Sequence, residues 1–322
     1  MKSLGKTRRR LRAAAAAVLI SAAASWPAAA GAWSSQRPME TARSHMGAAV
    51  LDGEIYVAGG TGILGPIAAF EVYDARVDHW RPLPSLPAGR QQFGMAALDG
   101  RIVAAGGYQS EALTGESAEM WVYDPRLSQW TQGPSMPGGR AGHALVAAEG
   151  KLYVIGGTGE ATDRLYMYDL ESRSWGVAPF RLPSPRAGLA AAYLDGRIYV
   201  AGGGGGGNAA RLDILDLETG SWRRGAPLPG GRSGLAMAVV GDRLHVVGGA
   251  SIEDLQTYDS HFAYDPAEDR WTALAPMPTP RHGMASAQVD GRLYVLGGGS
   301  GAGFFTVFTG ADVVEMYDPQ AE

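Results

Sequence analysis

The feature that most constrains this chain is a phrase that returns six times along it. Each copy opens with an arginine and an Ala/Gly-rich run, continues with a Gly-Gly pair and a Tyr-Asp pair (Leu-Asp once), and ends near a tryptophan. Successive copies lie 45 to 50 residues apart, which is the spacing of four-stranded propeller blades rather than of helical solenoids. The Gly-Gly pairs begin at Gly59, Gly106, Gly156, Gly202, Gly248 and Gly297, and the repeat tryptophans are Trp33, Trp80, Trp130, Trp175, Trp222 and Trp271.

Each copy reads as four strands, here called A to D from the inside of the blade outward. Strand A is rich in Ala, Gly and Met, and only small side chains fit where six inner strands converge on a propeller axis. Turns such as Asp52-Gly53 follow it, and Asp-Gly is a strong hairpin signal. Strand B then ends in Gly-Gly, strand C carries Tyr-Asp, and strand D carries the tryptophan. Strand A is expected at residues 46–51, 93–98, 145–148, 189–194, 235–240 and 284–289.

The two ends of the chain complement each other. The last copy stops at Tyr317-Asp318-Pro319 and has no fourth strand, whereas the piece from Trp33 to Met39 matches a strand D that belongs to no copy. Pairing the two would leave no free sheet edge at the seam. The sequence therefore predicts an all-β, six-bladed β-propeller over residues 33–322, with the ring closed by the N-terminal strand.

Residues 1–32 predict a secretory signal peptide. Six basic residues lie among the first twelve, a largely apolar run covers residues 13–24, and small residues around Ala30 offer cleavage sites. We therefore expect an exported protein, periplasmic or secreted, with no membrane attachment after cleavage. A retained N-terminal anchor is the alternative, and both Sec and twin-arginine export stay open.

Composition excludes several functional classes. The chain has no cysteine, which excludes disulfides, thiolate chemistry and a lipoprotein anchor. Cleavage after residue 32 would leave 22 basic against 32 acidic residues, a net charge of −10. A protein this acidic is a poor partner for nucleic acid or for an anionic membrane surface.

The unit resembles the kelch repeat over essentially all of residues 33–322. Gly-Gly and the tryptophan match in all six copies, and Tyr-Asp in five, since the fourth has Leu215-Asp216 instead. Kelch proteins include ubiquitin-ligase adaptors, galactose oxidase-type copper enzymes and the bacterial periplasmic sialic acid epimerases, to which this chain is distantly similar in size, blade count and predicted compartment. The copper enzymes need a cysteine, so the resemblance implies no such cofactor here.

A further residue keeps its place in every copy, because an arginine opens strand A nine residues before the hairpin turn. Sixfold placement predicts a ring near the axis on the face that carries the loops after Gly-Gly. Guanidinium groups suit carboxylates and phosphates, and the kelch resemblance implies a pocket for an acidic ligand. The alternative is structural, with each arginine bridging neighbouring blades through backbone carbonyls. The arginines are Arg43, Arg90, Arg140, Arg186, Arg232 and Arg281.

The loops after Gly-Gly are where the copies stop resembling one another, and such loops usually carry binding specificity. A carboxylate beside the arginine ring could act as a general base, and the phenylalanines could cover a sugar face or a hydrophobic partner. Solvated charges and simple packing are the alternatives. The loop candidates are Glu111, Glu116, Asp163, Asn208, Glu253, Asp254, Phe304 and Phe305.

No motif indicates a metal or another cofactor. His45, His143 and His282 lie near the starts of different inner strands, but at different offsets from the local arginine, and His245 takes a core position of strand B. The six glycines from Gly202 are not followed by a helical pattern that could hold a pyrophosphate.

Three functions stay open from the sequence. The leading hypothesis is an exported binding module that recognises an acidic small molecule, glycan or protein segment through the arginine ring. The alternative is a mutarotase or epimerase that acts on sialic acid-like sugars, which needs only an acid/base pair and a carboxylate clamp. The third is a scaffold that uses its loops. Whether the chain is an enzyme is left undecided.

Overall fold

The computed structural model describes residues 31–204, 207, 209–251, 253–300 and 310–321. These residues form strands and turns with no helix, and so no helix long and apolar enough to cross a membrane. Six four-stranded antiparallel sheets are present, and their inner strands contact one another in a closed ring. The six-bladed, all-β propeller is therefore confirmed. Residues 1–30 of the predicted signal peptide lie outside the described residues, and Ala32 belongs to the first strand.

The strands follow the predicted order A to D in each blade, with two small hairpins added between B and C. Strand β1 (Ala32–Gln36) precedes blade 1. Blade 1 has β2 (Gly47–Leu51), β3 (Glu54–Ala58), the hairpin β4 (Thr61–Gly62) and β5 (Gly65–Pro66), β6 (Phe70–Asp74) and β7 (His79–Leu83). Blade 2 has β8 (Gly94–Leu98), β9 (Arg101–Ala105), β10 (Met120–Asp124) and β11 (Gln129–Gln132). Blade 3 has β12 (Ala144–Ala148), β13 (Lys151–Ile155), β14 (Arg164–Asp169) and β15 (Ser174–Arg181).

The second half of the chain repeats this order. Blade 4 has β16 (Ala190–Leu194), β17 (Arg197–Ala201), β18 (Leu212–Asp216) and β19 (Trp222–Arg224). Blade 5 has β20 (Ala236–Val240), β21 (Arg243–Val247), the hairpin β22 (Ala250–Ser251) and β23 (Gln256–Thr257), β24 (His261–Asp265) and β25 (Arg270–Leu274). Blade 6 has β26 (Ala285–Val289), β27 (Arg292–Leu296) and β28 (Val314–Asp318), with β1 as its fourth strand.

The ring closes through β1, as the sequence predicts. This strand pairs antiparallel with β28, and Trp33 lies directly opposite Tyr317. The same pairing of the Tyr-Asp tyrosine with the repeat tryptophan occurs inside the other blades, for example between Tyr73 and Trp80. Blade 6 is therefore built like its sisters, although its outer strand comes from the other end of the chain.

In five of the six blades the repeat tryptophan joins the blade to the one before it. The Trp80 indole donates a 2.9 Å hydrogen bond to the carbonyl of Arg37, and the Trp33 indole donates one of 2.8 Å to the carbonyl of Ala275 in blade 5. Four of the other five blades show this bond in the same way as Trp80 does, through Trp130, Trp175, Trp271 and Trp33, whereas Trp222 has no hydrogen-bond partner in the described part of the chain. This recurrence explains why a tryptophan is needed once per repeat: its ring fills the wide outer part of the blade, and its N–H satisfies a neighbouring backbone group.

Candidate functional site

All six arginines that open strand A are buried, with exposed fractions of 0 to 3%. In five blades the guanidinium donates to the carbonyl of the first glycine of its own Gly-Gly pair, sixteen residues further on. The N···O distances include 3.2 Å from Arg43 to Gly59 and 3.1 Å from Arg232 to Gly248. Arg140 is the exception and donates to the carbonyls of Gly139, Glu160 and Ala161. Each guanidinium therefore ties together backbone segments within its own blade.

The group that faces the guanidinium is set by one position on strand C, three residues before the aspartate of the Tyr-Asp pair. In blades 1, 4 and 6 this position holds a buried acid, which forms an ion pair with the arginine. Blades 3 and 5 have an aromatic ring there instead, and the guanidinium carbon lies 4.4 and 5.3 Å from the ring centroid, as in a cation–π contact. In blade 2 the position holds Trp121, and Glu119 supplies the carboxylate at 2.9 Å. The residues at this position are Glu71, Trp121, Tyr166, Asp213, Phe262 and Glu315.

The arginine main chain provides the link between blades. The N–H of the second glycine of each Gly-Gly pair donates to the carbonyl of the arginine of the following blade, as Gly60 does to Arg90 at 2.8 Å. This bond is present at all six blade junctions, including the one from Gly298 to Arg43 that closes the ring. The positive φ angles of these glycines, +100° at Gly60 and +99° at Gly298, explain why the pair is glycine in every copy.

These contacts favour the structural alternative for the arginine ring. None of the six arginines lies on the wall of the axial cavity described below, so the predicted arginine-lined face is not where the side chains point. Burial lowers the pKa of each of the six guanidinium groups, and that of Arg232 falls to about 10. Ligand binding by the six arginines stays an untested prediction.

A cavity of about 460 Å³ lies on the propeller axis, at the ends where the A strands begin. Two rings of residues form its wall. The upper ring holds the residue two places after each arginine, namely His45, Gln92, Gly142, Gly188, Gly234 and Gly283. The lower ring holds the residue three places after it, namely Met46, Phe93, His143, Leu189, Leu235 and Met284.

The upper ring is joined by a closed circle of backbone hydrogen bonds. Each N–H donates to the carbonyl of the equivalent residue in an adjacent blade, at N···O distances of 2.7 to 2.9 Å, and the sixth bond returns to the first residue. All six residues have φ between +54° and +66°, a left-handed conformation that suits glycine. The circle fixes the mouth of the cavity without using any side chain.

The structure places the acidic loop candidates on the loops between strands B and C. None of those described forms an ion pair with one of the six arginines, although the charges of Glu116 and Asp163 act on Arg140. Glu111 is exposed and lies against Gly65 of the neighbouring blade, and Glu116 accepts a 3.3 Å hydrogen bond from the Tyr108 hydroxyl. Asp163 is paired with Arg181, which lowers the pKa of Asp163. Glu253 and Asp254 are exposed, and Asp254 accepts a 3.3 Å hydrogen bond from Tyr258. Asn208, Phe304 and Phe305 lie outside the described residues.

Two loops on this face carry aliphatic side chains that contribute little to packing, a feature that sequence reasoning missed. Ile63 and Leu64 form the tip of the β4–β5 hairpin and are 88% and 93% exposed. Leu255, at the tip of the β22–β23 hairpin in blade 5, is 69% exposed. The sequence does carry a signal for this exposed pair, because Ile63-Leu64 stands where the tip of a hairpin ordinarily has Gly, Asn or Asp.

Comparison with known proteins supports the fold assignment. The family model described as the KLHDC2/KLHL20/DRC7 Kelch-repeats domain matches residues 18–157 and again residues 133–299. Together the two matches cover most of the chain. A comparison with curated proteins finds no significant match.

Proposed function

Because the chain belongs to the kelch-repeat family, whose propellers are typical protein-interaction modules, we propose that it is an exported module that binds a segment of a partner protein across the B–C loop face. The observation that carries this proposal is the pair of bare aliphatic side chains, Ile63 and Leu64, at the tip of the β4–β5 hairpin. They add almost nothing to the core, and exposed apolar groups rimmed by polar residues mark interaction sites. Export rests on the signal peptide predicted at residues 1–32.

The charges around these tips define the partner's chemistry. Glu111 lies beside the hairpin, and in blade 5, two blades away, Glu253 and Asp254 directly precede Leu255. Among the described residues of the loops between strands B and C, several acids stand against one basic residue, Arg211, while Arg164 begins strand β14. Arg211 is itself paired with Asp213 at 2.6 Å. Charge complementarity therefore favours a partner segment with Lys or Arg beside aliphatic residues.

The acidic-ligand hypothesis and the sugar isomerase hypothesis both need an arginine that reaches a ligand. Arg43, Arg90 and Arg186 each have the neighbouring carboxylate that an acid/base site would use. The three guanidinium groups are 0% exposed, and the acids paired with Arg43 and Arg186 are buried as well, whereas Glu119 is 37% exposed. Both hypotheses stay untested, and the buried pairs give them no support.

A random-peptide display selection against the mature protein, followed by titration calorimetry of the recovered peptides, tests the proposal. We expect sequences that combine Lys or Arg with aliphatic residues. The double variant Ile63→Ser/Leu64→Ser should weaken their binding by about tenfold or more, as expected when a contact worth about 1.4 kcal/mol is lost.

The matched control is Val77→Ser/Leu127→Ser. These residues are 67% and 70% exposed but lie on C–D turns, away from the B–C loops, so the control should leave affinity unchanged. Equal affinity for the hairpin variant and the wild type would refute the proposed face. Recovery of Asp- and Glu-rich peptides would support the acidic-ligand prediction instead.

A further inference from the structure

The upper ring of the axial cavity departs from the repeat in two adjacent blades. Four of its six positions hold glycine, whereas blades 1 and 2 have His45 and Gln92. Their φ angles of +55° and +54° are in the left-handed region, which costs a residue with a Cβ on the order of 1 kcal/mol relative to glycine. Glycine at these two positions could form the same backbone hydrogen bonds as the glycines at the other four. The side chains of His45 and Gln92 are therefore present for a reason other than the fold.

Both side chains lie over the mouth of the cavity. The His45 ring covers Gly283, where an added Cβ would come within 2.8 Å of the ring. The Gln92 amide oxygen would lie 3.3 Å from a Cβ at Gly142. The His45 ring thus leaves no room for a side chain at Gly283, whereas Gln92 only crowds the space above Gly142.

Four consecutive blades contribute polar groups to one side of the cavity, through His282, His45, Gln92 and His143, which we call the polar arc. The His45 and His282 rings lie 5.8 Å apart, edge to face, and His45 Nδ1 is 3.1 Å from the Ser44 hydroxyl. The opposite side is formed by the apolar side chains of Leu189 and Leu235, with Ser233 beside them. The wall is therefore asymmetric, although the fold around it repeats six times.

His143 is a second, independent irregularity. The lower ring is otherwise apolar, and at 7% exposure this imidazole has no hydrogen-bond partner for either nitrogen among the described residues. The Ala105 backbone is near enough to favour the charged ring but does not meet hydrogen-bond geometry. The ring lies against Gly94 and Gly106 of blade 2, and both of its nitrogens are buried rather than exposed to the cavity. A buried polar group without a partner costs about 1–3 kcal/mol, so a bound water, rather than a molecule in the cavity, would have to complete it.

The described wall of the cavity has no carboxylate, ammonium or guanidinium group. Burial, with the nearby His282 as a lesser cause, lowers the pKa of His45 to about 4, and burial lowers that of His143 to about 3. Imidazole, amide and hydroxyl groups can each donate and accept hydrogen bonds, which is the pattern that complements a hydroxyl group.

We propose that the axial cavity binds a neutral, polyhydroxylated molecule of about the size of one or two sugar rings. His45, Gln92 and His282 of the polar arc bond its hydroxyl groups, and Phe93, Leu189 and Leu235 contact its C–H face. A volume of about 460 Å³ falls within the range of small-molecule sites, and such sites combine an apolar wall with a few convergent polar groups. This site is separate from the hairpin tips, so it stands or falls independently of the proposed partner binding.

The test uses His45→Gly and Gln92→Gly, which install the residue that four sister blades have at the same position. Binding of neutral probes (glucose, galactose, N-acetylglucosamine and myo-inositol) to the mature protein is measured by titration calorimetry, with glucuronate and glucosamine as charged counterparts. We expect at least one neutral probe to bind and each variant to weaken it by about tenfold, the effect of a lost hydrogen bond of about 1.4 kcal/mol.

The melting temperature is the control. Both variants place glycine at a left-handed backbone position, which removes strain, so each should unfold at the same temperature as the wild type or higher. A loss of binding with unchanged melting temperature supports the site. The proposal is overturned if no neutral probe binds, if a charged counterpart binds more tightly than its neutral form, or if both variants keep full affinity.

Discussion

A buried histidine pair beneath the closing strand should make this propeller sensitive to acid. His245 Nδ1 and His261 Nε2 are 2.8 Å apart, and both residues are buried. His261 Nδ1 lies 3.3 Å from the carbonyl of Ala275, the same oxygen that accepts the Trp33 indole N–H. Because a carbonyl only accepts, His261 carries its proton on Nδ1 and accepts at Nε2 from His245. Both imidazoles are therefore neutral, and a proton added to His261 would place two N–H groups face to face.

The buried surroundings disfavour protonation of either histidine. Burial, with the Arg243 charge as a lesser cause, lowers the pKa of His245 to about 4. Burial and the charge of His245 lower the pKa of His261 to about 3, and the Ala275 backbone opposes this only in part. Trp33 and Tyr317, whose rings lie 5.4 and 4.6 Å from that of His261, bring no compensating charge.

The magnitude follows from proton linkage. As pH falls from an unfolded pKa of about 6.5, the unfolded chain binds a proton at each histidine while the folded chain does not, so the folded state loses stability. The slope is about 1.4 kcal/mol per pH unit for each such histidine. Four histidines have lowered pKa values, namely His45, His143, His245 and His261, so the slope between pH 6 and 5 is steep in the wild type.

The double variant His245→Tyr/His261→Leu removes two of these four groups and should roughly halve the slope. Tyrosine stands at the position of His245 in several sister blades, as Tyr199 does, and Leu212 stands at that of His261. Urea unfolding followed by tryptophan fluorescence at pH 7, 6 and 5 measures the slope, with the exposed His79→Gln as control. A double variant that keeps the full wild-type slope would refute the reasoning.

Two further predictions concern closure and the arginine layer. Deleting residues 33–35 of the mature chain should cost roughly 3 kcal/mol, because it removes Trp33 from the core, whereas deleting residues 320–322 should cost little; equal melting temperatures would contradict closure by strand pairing. Arg281→Ala should cost about 3–5 kcal/mol because it leaves Glu315 buried without a cation. Glu315→Phe, which installs the blade 5 residue at that position, should cost less, and denaturant titrations in which both cost the same would show that the unpaired charge is not the cause.

The repeat was sufficient to predict the blade count, the strand order and the closure, because hairpin turns and tryptophan spacing are local signals. The strand boundaries were less exact. Strand A was expected from Met46 and from Phe93, but the ladders begin one residue later, at Gly47 and Gly94. The cause is the left-handed residue two positions before the start of each ladder, His45 in blade 1 and Gln92 in blade 2. It turns the chain so that the next side chain enters the lower ring of the cavity.

The direction of the arginine side chains could not be read from their spacing. Sixfold recurrence is equally compatible with a ring that faces ligand and one that faces the sheet. A deciding signal was present on another strand, since Glu71, Asp213 and Glu315 recur three residues before the Tyr-Asp aspartate. A buried acid at the same register as a repeated arginine indicates an internal ion pair. The contact of Glu111 with Gly65 joins two blades, and no pattern along the chain encodes it.

In a protein built from copies, a residue present in every copy is first a candidate for holding the copies together. The arginines and the Gly-Gly pairs obey the repeat without exception, and both are used in bonds within and between blades. A ligand breaks sixfold symmetry, so the residues that recognise it should break it too. His45, Gln92 and His143 break it on the axis, where they cost the fold free energy through a left-handed backbone or an unpartnered polar group. Ile63 and Leu64 break it on the loop face, where they contribute almost nothing to packing. Functional residues in such a ring are therefore better sought among departures from the repeat than among its fixed positions.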